Sequence, residues 1–373
     1  MEIHSDLSQP SNERLVNVSN HKFSSDIRVE IAALTDLDNW HALLLVLEDY
    51  LIIGLSIASC YLISWYLYPV AVLIIGARHR GLANLLHASV HRTLAKNPLL
   101  NFLLGSIFSG YLIFQQVVIY QQSHVLQHHG NFGDSVKDPD YNYHIEAGLY
   151  QNLTPTEFRF RYILLPLIGA KVPAYLFYVI RERFWTKVDS DKQTAFVSAI
   201  VDKSLFLGQW LLILGMLGYL GLIKEFLLFW IVPYLTSFMI LGWFTELSEH
   251  YPLIQLSNDT ICMSRNRHGN WIERFLTGIH NDHYHQEHHL NPAIPMWNLP
   301  KAHQIHIRDS VYSEWDSQWG GIFFSADRNR KTLLYYLMNR LKNMHSQKQM
   351  VSPDVSEANL ADDSLSRKDY TIR

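Results

Sequence analysis

The sequence has little excess charge of either sign and almost no cysteine. Its 373 residues include 31 Lys and Arg against 34 Asp and Glu, a formal net charge of −3. This balance argues against a nucleic-acid partner, because contacts with phosphates need a clustered positive surface. The two cysteines, Cys60 and Cys262, lie far apart in the sequence. They therefore provide neither a disulfide framework nor a CxxC metal or redox motif.

The first forty residues also lack the pattern of a secretory signal peptide. Acidic residues such as Glu2, Asp6 and Glu13 stand where that pattern needs basic and then apolar residues. We expect residues 1–42 to form a cytosolic N-terminal segment. Residues 346–373 are polar and without periodicity, which predicts a disordered tail. Between these segments the composition changes, and residues 43–345 are expected to form one membrane domain.

Long apolar runs dominate that domain. A helix of ~20 residues crosses the ~30 Å hydrocarbon core of a bilayer. Four segments fit this length: residues 45–64, 68–86, 204–223 and 226–245. Short connections pair them, and basic residues gather on one side, as the positive-inside rule requires of the cytosolic face. The sequence therefore predicts an all-α integral membrane protein with four transmembrane helices in two hairpins and both termini in the cytosol.

Two further segments are apolar but are not expected to cross the membrane. Residues 98–122 carry no charge, yet a fifth crossing would separate the histidines before this segment from those after it. We therefore expect a re-entrant or interfacial segment whose irregular backbone is covered by protein. Residues 162–180, interrupted by Pro166, Lys171 and Pro173, are expected to form an amphipathic surface segment. A cytosolic histidine-rich cap completes the predicted fold.

Histidine is the residue type that the sequence has in excess, with 20 copies. His87 and His91 are four residues apart, so on a helix both imidazoles lie on one face and suit one metal ion. Two histidines at a membrane interface explain that pair equally well. In the second cluster, His124 and His128 repeat this spacing, and His129 points ~100° away, so the three can reach two centres. A purely structural role for all three is the weaker interpretation, because each buried imidazole needs partners for both ring nitrogens.

A third cluster lies in the last third of the chain. His285, His288 and His289 repeat the adjacent-pair arrangement of the second cluster. His280 and His283 precede them, and we expect each to support the metal ligands or to lie at the surface rather than to bind a metal ion.

His250, at the end of the fourth apolar segment, is a ninth candidate ligand. Glu246 lies one helical turn earlier on the same face, where it is a candidate to orient His250. Eight or nine nitrogen donors exceed the four that a tetrahedral zinc ion takes, so at least two ions are implied. Imidazole suits Zn, Cu, Fe and Ni alike. A metal pair beside apolar helices is placed to act on a lipid-soluble chain, and oxidation of an unactivated C–H bond favours iron. His79, between two arginines, is interpreted as a residue of the headgroup region.

At these histidines the sequence resembles the integral-membrane fatty acid desaturases, with the related hydroxylases, ketolases and alkane monooxygenases. That family is marked by three histidine boxes that alternate with paired membrane helices. The boxes found here are, in order, His87 with His91, His124 with His128 and His129, and His285 with His288 and His289. A further family histidine, between the fourth helix and the third box, matches His250. The resemblance extends over about residues 70–305.

The resemblance implies a non-haem centre of two iron ions held by these histidines, with no catalytic group beyond the metal ligands. It also implies O2 as oxidant and electrons from a separate ferredoxin or cytochrome b5-type protein, since no His-Pro-Gly-Gly haem-binding motif occurs. The expected reaction introduces a double bond into a fatty acyl or similar long-chain lipid. A hydroxylase or ketolase with the same centre is the first alternative. A membrane zinc-binding protein or transporter is the alternative from another class.

Two features depart from the ordinary family pattern. His283 stands where the family often has Asn, which adds a possible ligand or changes the surroundings of the ligands. The runs around Arg78 and Arg80 and around Asp138 and Asp140 are similar to those of bacterial desaturase-like proteins linked to specialised metabolism. This second similarity leaves the identity of the substrate open.

Overall fold

The computed structural model describes residues 19–181, residue 185 and residues 196–351. Within these residues the chain forms helices joined by loops and contains no β-strand, which confirms the all-α prediction. Most of the predicted tail, from residue 352 onward, and the first eighteen residues of the predicted N-terminal segment lie outside the described residues.

The helices fall into an N-terminal set that carries the first two boxes and a C-terminal set that carries the third. The first set is α1 (Ser25–Ala32), α2 (His41–Leu62), α3 (Tyr68–Val90), α4 (Pro98–Ile113), α5 (Val117–Asn131) and α6 (Pro139–Glu146). The second set is α7 (Pro155–Leu167), α8 (Val172–Ile180), α9 (Ala199–Leu220), α10 (Ile223–Gln255), α11 (Trp271–Thr277), α12 (His285–Leu290), α13 (Leu299–His306), α14 (Ser310–Asp316) and α15 (Leu333–Val351).

Three helices, α2, α9 and α10, are long and apolar enough to cross a membrane, and each overlaps one predicted span. The fourth predicted span, residues 68–86, lies on α3, which has 23 residues but is not one of these three. Polar residues such as Arg78 and Arg80 lower the hydropathy of α3. If each of two bent helix pairs counts as one span, the number rises to five.

The outward faces of α2 and α9 are apolar. Leu55 and Leu62 on α2 are 61% and 83% exposed, and Leu211 and Leu212 on α9 are 74% and 65% exposed. A soluble protein rarely presents such contiguous apolar surface to water. These faces are suited to contact with the hydrocarbon of a bilayer.

The middle of the bundle is α3, which is buried along most of its length. Close approach of α10 depends on Gly76, since an added Cβ would lie 2.1 Å from the Ser237 Oγ atom and 2.7 Å from the Phe238 backbone nitrogen. The Ser237 hydroxyl donates to the Val72 carbonyl at 2.5 Å. The His79 ring packs 4.5 Å from the Trp230 ring and is fully buried, so protein rather than lipid headgroups surrounds it.

The two ambiguous segments lie on bent helix pairs. Helices α4 and α5 meet at 93°, with Phe114 at the break in the left-handed region at φ 60°. A bend of this size occurs both in a broken span and in a re-entrant loop, so the re-entrant interpretation of residues 98–122 stays a prediction. Helices α7 and α8 meet at 77°. Within residues 162–180, Tyr162 is buried and Phe177 is exposed, and the amphipathic interpretation stays a prediction.

Candidate metal centre

Four box histidines bring their Nε2 atoms into a closed ring. Going around this ring, the distances are 2.8 Å from His87 to His288, 3.0 Å from His288 to His129, 3.2 Å from His129 to His124 and 3.1 Å from His124 to His87. The centre of a planar square with ~3 Å sides lies ~2.1 Å from each corner, which is the usual distance from a metal ion to an imidazole nitrogen. The ring therefore has the dimensions of a metal-ligand set.

His91 adds a fifth nitrogen to this ring. Ligand atoms of His91 and the four ring histidines all lie within 4.8 Å of one another. The buried Nε2 atom of His91 makes no hydrogen bond to any described residue. A buried imidazole nitrogen without a partner costs free energy unless something else binds it. A metal ion at the centre of the ring would satisfy it.

The remaining four candidate ligands form a second group. The Nε2 atoms of His250 and His285 are 3.0 Å apart, and a ring nitrogen of His289 lies within 4.8 Å of both. His128 joins through His289, since ring nitrogens of His128, His129 and His289 lie within 4.8 Å of one another. The nine histidines thus form a group of five and a group of four. Each adjacent histidine pair contributes one ring to each group.

The local helix geometry explains how the second box is divided. Residues Gln121–His128 form a π-helix, in which hydrogen bonds join residues five apart and which occurs often at functional sites. His124 therefore meets His129, five residues on, rather than sharing one centre with His128. An α-helix would have placed His124 and His128 together. The spacing in the sequence therefore identifies the candidate ligands but does not predict how they are grouped.

Two candidate ligands of the second group are held through their other ring nitrogen. His128 Nδ1 is 2.8 Å from Asp138 Oδ1, and His250 Nδ1 is 3.2 Å from the Met263 carbonyl oxygen. A proton on Nδ1 donated to these oxygens leaves the lone pair of Nε2 for a metal ion. Asp138 is itself fixed by the backbone N–H of Gly133 at 3.0 Å. The sequence analysis noted Asp138 only as part of a motif.

A buried ion-pair network supports His285. Glu249 Oε1 lies 3.6 Å from His285 Nδ1 and 2.7 Å from the Arg267 guanidinium. The same guanidinium is 2.5 Å from Asp282 Oδ2. Burial would raise the pKa of Asp282, but the charges of Arg267 and Arg80 outweigh it and lower that pKa below its usual value. Sequence reasoning missed this network, because its members are joined only by the fold.

The three residues expected to support the ligands have different surroundings. Glu246 lies 3.6 Å from Arg80, and both residues line a cavity beside the histidines. His280 Nε2 is 2.8 Å from Asp49 Oδ2, a fully buried carboxylate on α2. His283 Nδ1 faces the backbone carbonyl five residues earlier at 3.3 Å. Their influence on a bound metal ion stays a prediction.

Helix α12, which carries the third box, is anchored from behind. Glu287 lies between the box histidines and accepts hydrogen bonds from His306 Nδ1 at 2.5 Å, from His303 Nδ1 at 3.3 Å and from the Tyr312 hydroxyl. Burial would raise the pKa of Glu287, but these hydrogen bonds lower it below its usual value. The carboxylate therefore ties α12 to α13 and α14 and orients the box.

Two cavities open beside the histidines and share a wall. The first, which we call the apolar-walled chamber, has a volume of about 410 Å³, and its apolar residues are Ala88, Ile294, Met296 and Leu299. The second, the charged chamber, has a volume of about 510 Å³, and its charged residues are Arg80, Asp140, Glu246, Glu249 and Asp282. The shared wall consists of Asn84, His87, Asp282 and His285. Each chamber thus reaches candidate ligands of both groups.

Nine imidazoles in two groups, carried by a bundle with membrane-length helices, define the class of histidine-box membrane metalloproteins. The chain belongs to the fatty acid desaturase family, whose model matches residues 63–319. The resemblance inferred from the boxes is confirmed. The protein is an oxidoreductase of the desaturase type, and enzymes of this family generally use iron.

Three curated relatives are desaturases. The chain is 39% identical over 326 residues to dihydrorhizobitoxine desaturase of Bradyrhizobium elkanii, covering 87% of this chain and 92% of that protein. It is 23% identical to sn-1 oleoyl-lipid 12-desaturase of Arthrospira platensis, covering 76% and 81%. It is 22% identical to the chloroplastic omega-6 fatty acid desaturase of Brassica napus, covering 80% and 65%.

Proposed function

We propose that the protein is an O2-dependent desaturase that introduces a carbon–carbon double bond at a centre of two iron ions held by the nine histidines. The observation that carries this proposal is the ring of four Nε2 atoms, with edges of 2.8 to 3.2 Å, next to a second histidine group. Two ions would each receive four or five imidazoles.

Bound iron supplies the redox chemistry by which O2 takes two hydrogen atoms from neighbouring carbons, while two protons and two external electrons complete the reduction of O2 to two waters. The residues of the chain hold and orient this centre. Asp138 and the Met263 carbonyl keep the Nδ1 side of His128 and His250 occupied, and Glu249 lies 3.6 Å from the Nδ1 atom of His285. The shared wall with His87 and His285 brings a substrate carbon close to both groups.

The substrate was expected to be a fatty acyl or similar long-chain lipid. The lipid desaturases among the relatives and the apolar outer faces of the helices support this expectation. The relative that is 39% identical is named for dihydrorhizobitoxine instead, so a substrate other than a membrane acyl chain also has support. Electrons would come from a ferredoxin or cytochrome b5-type protein, as in the sequence expectation.

We also propose the four-span arrangement with both termini and the histidines on the cytosolic side. This topology requires α3 to cross in addition to α2, α9 and α10. Single cysteines introduced at Ser64, in the predicted outer turn, and at Ser313, in α14, test it with a membrane-impermeant thiol reagent on intact cells. Labelling at position 64 alone is expected, and labelling at position 313 would contradict the proposal.

Metal content and product mass test the reaction. The purified protein in detergent should contain about two irons per chain, and zinc alone would favour the zinc-binding alternative. Products from a host that expresses the protein should differ from the substrate by loss of two hydrogens. Gain of one oxygen would identify a hydroxylase or ketolase instead. His288→Ala should abolish the product, whereas His21→Ala, which removes a part-buried contact with Asp309, should retain it.

A further inference from the structure

A buried histidine turns one ring nitrogen toward the apolar-walled chamber. His280 is 8% exposed and lines this chamber. Its Nε2 atom lies 2.8 Å from the Oδ2 atom of Asp49. Its Nδ1 atom makes no hydrogen bond to any described residue and, unlike the Nε2 atom of His91, is not closed off from open space. Nδ1 is therefore the polar atom that His280 presents to the chamber.

Asp49 determines which ring nitrogen of His280 carries the proton. The Asp49 carboxylate is fully buried, and its Oδ1 atom lies 3.4 Å from the Arg78 guanidinium. Gly81 leaves room for it, since an added Cβ would lie 2.6 Å from both carboxylate oxygens. Because Arg78 balances the negative charge, His280 stays neutral and donates its Nε2–H to Asp49. The lone pair of Nδ1 is left to accept a hydrogen bond from the chamber.

The backbone at His280 is held in place from two sides. His280 and Asn281 both lie in the left-handed region, at φ 57° and 66°, which costs free energy for residues other than glycine. The Asn281 side chain donates to the Met296 carbonyl at 3.1 Å, and the Asn84 Nδ2 atom donates to the Ile279 carbonyl at 2.9 Å. Asn84 also lines the chamber, and its Oδ1 atom makes no hydrogen bond to any described residue. Asn84 Oδ1 is therefore a second acceptor beside His280.

These two acceptors suit an uncharged hydrogen-bond donor. A buried acceptor without a partner costs free energy, and a carboxylate has no proton to offer it. An ammonium group would be repelled by metal ions bound to the histidines in the same wall, which are His87, His285 and His288. Asp282, which also lines the chamber, is already paired with Arg267 at 2.5 Å. A hydroxyl group meets these requirements.

We propose that His280 and Asn84 bind a hydroxyl group of the substrate, so that the substrate is a hydroxylated amphiphile rather than a plain acyl chain. This inference rests on the proposed function and specifies its substrate class. The apolar residues of the chamber take the hydrocarbon part. Because His280 shares the chamber with His87 and His288, the hydroxyl lies only a few bonds from the carbons that react, and it fixes which carbons these are.

Binding to the wild-type protein in detergent tests the proposal without turnover. The probes are 1-hexanol and its isomer 1-methoxypentane, which has the same atoms but no O–H donor, and hexylammonium, which is a charged donor. Calorimetric titration, corrected for uptake by protein-free micelles, should give an affinity for 1-hexanol at least about fivefold above that for 1-methoxypentane. Equal affinities for the two isomers, or tighter binding of hexylammonium than of 1-hexanol, would overturn the proposal.

Two substitutions test whether His280 accounts for the preference. His280→Phe keeps a ring but removes both nitrogens. Asp49→Asn keeps the ring of His280 but reverses its proton: the new amide accepts from Arg78 and donates to Nε2, which moves the imidazole proton to Nδ1. In both variants the affinities for the two isomers should become equal. The fivefold preference should persist in His144→Phe, the matched control, because His144 is a buried imidazole that lines neither chamber.

A purely structural role of the Asp49–His280 pair predicts a different result. Both isomers would then lose affinity by the same factor in the two variants and the preference would remain, which would contradict the proposal. Failure of the proposed function is distinguishable from this. A protein that holds about two irons and desaturates acyl lipids, without preferring 1-hexanol, keeps the function and loses the inference. A protein that prefers 1-hexanol but holds no iron and forms no double bond loses the proposed function.

Discussion

The two chambers meet at one wall but offer a substrate opposite surroundings. On one side of His87 and His285 lie Ile294, Met296 and Leu299. On the other lie Arg80, Asp140, Glu246 and Glu249, while Asp282 belongs to the wall that both chambers share. The histidines determine which reaction is available, whereas the walls determine which molecule can approach. The histidines, which mark the family, therefore indicate desaturation more firmly than they indicate the substrate.

The largest expected effect comes from removing a candidate ligand that lines the apolar-walled chamber. His288→Ala takes one corner from the ring of Nε2 atoms, where His288 lies 2.8 Å from His87 and 3.0 Å from His129. Iron content should fall from about two to about one per chain, and product formation should drop below detection. Metal analysis and product mass spectrometry measure both quantities. Two retained irons with full activity would show that the ring is not a ligand set.

A smaller loss is expected when a ligand is kept but its support is removed. Asp138→Asn weakens the acceptor of the His128 Nδ1 proton on the charged side of the centre. Loss of such a supporting carboxylate usually lowers metal affinity or activity by about 10- to 100-fold. Asp134→Asn in the same loop is the matched control, since Asp134 pairs with Lys137 at the surface. Competition with a chelator reads out the iron affinity, and equal values for both variants would refute the role of Asp138.

The third box should respond to its anchor in stability as well as in activity. Glu287→Gln removes the charge that His303, His306 and Tyr312 contact behind α12. Hydrogen bonds to a buried charged group contribute about 1.5 to 3 kcal/mol each, so unfolding in detergent should become easier by at least about 2 kcal/mol. Glu314→Gln, on the neighbouring helix α14, is the comparison variant. No difference in denaturation midpoint between the two would contradict an anchoring role.

Short-range spacing explains what the sequence could predict about this site. Eight of the nine histidines were identifiable because i, i+4 spacings and adjacent pairs bring imidazoles close together on one helix, whereas His250 was noted for its position at the end of the fourth apolar segment. The grouping of His124 with His129 was not, since it depends on the π-helix over Gln121–His128. Long apolar runs likewise predicted α2, α9 and α10. The apolar runs do not predict the bend between α4 and α5, after which the Nε2 atom of His124 lies 3.1 Å from that of His87.

Contacts between distant segments account for what the sequence could not predict. Asp49 meets His280 across 231 residues, and Arg267 joins Glu249 to Asp282. No local pattern marks such pairs, because each member lies on a different element. The charged chamber likewise forms through contacts between distant segments. Glu246 was noted for its helical spacing from His250, whereas its pairing with Arg80 on α3 appears only when α3 and α10 are packed together.

The smallest expected effect concerns Asp316, in the polar cluster behind the third box and away from the two chambers. Burial would raise the pKa of Asp316, but hydrogen bonds and charge from His268, with further contributions from neighbours such as His303, lower it to about 2. A carboxyl group with a lowered pKa stabilises the folded protein above its ordinary pKa of 3.8 and loses that contribution as the pH falls toward 2. The amount is about 2 kcal/mol, measured as the change in unfolding midpoint between pH 5 and pH 2.5. Asp316→Asn should flatten this part of the pH profile, and an unchanged slope would assign the acid sensitivity to other carboxylates.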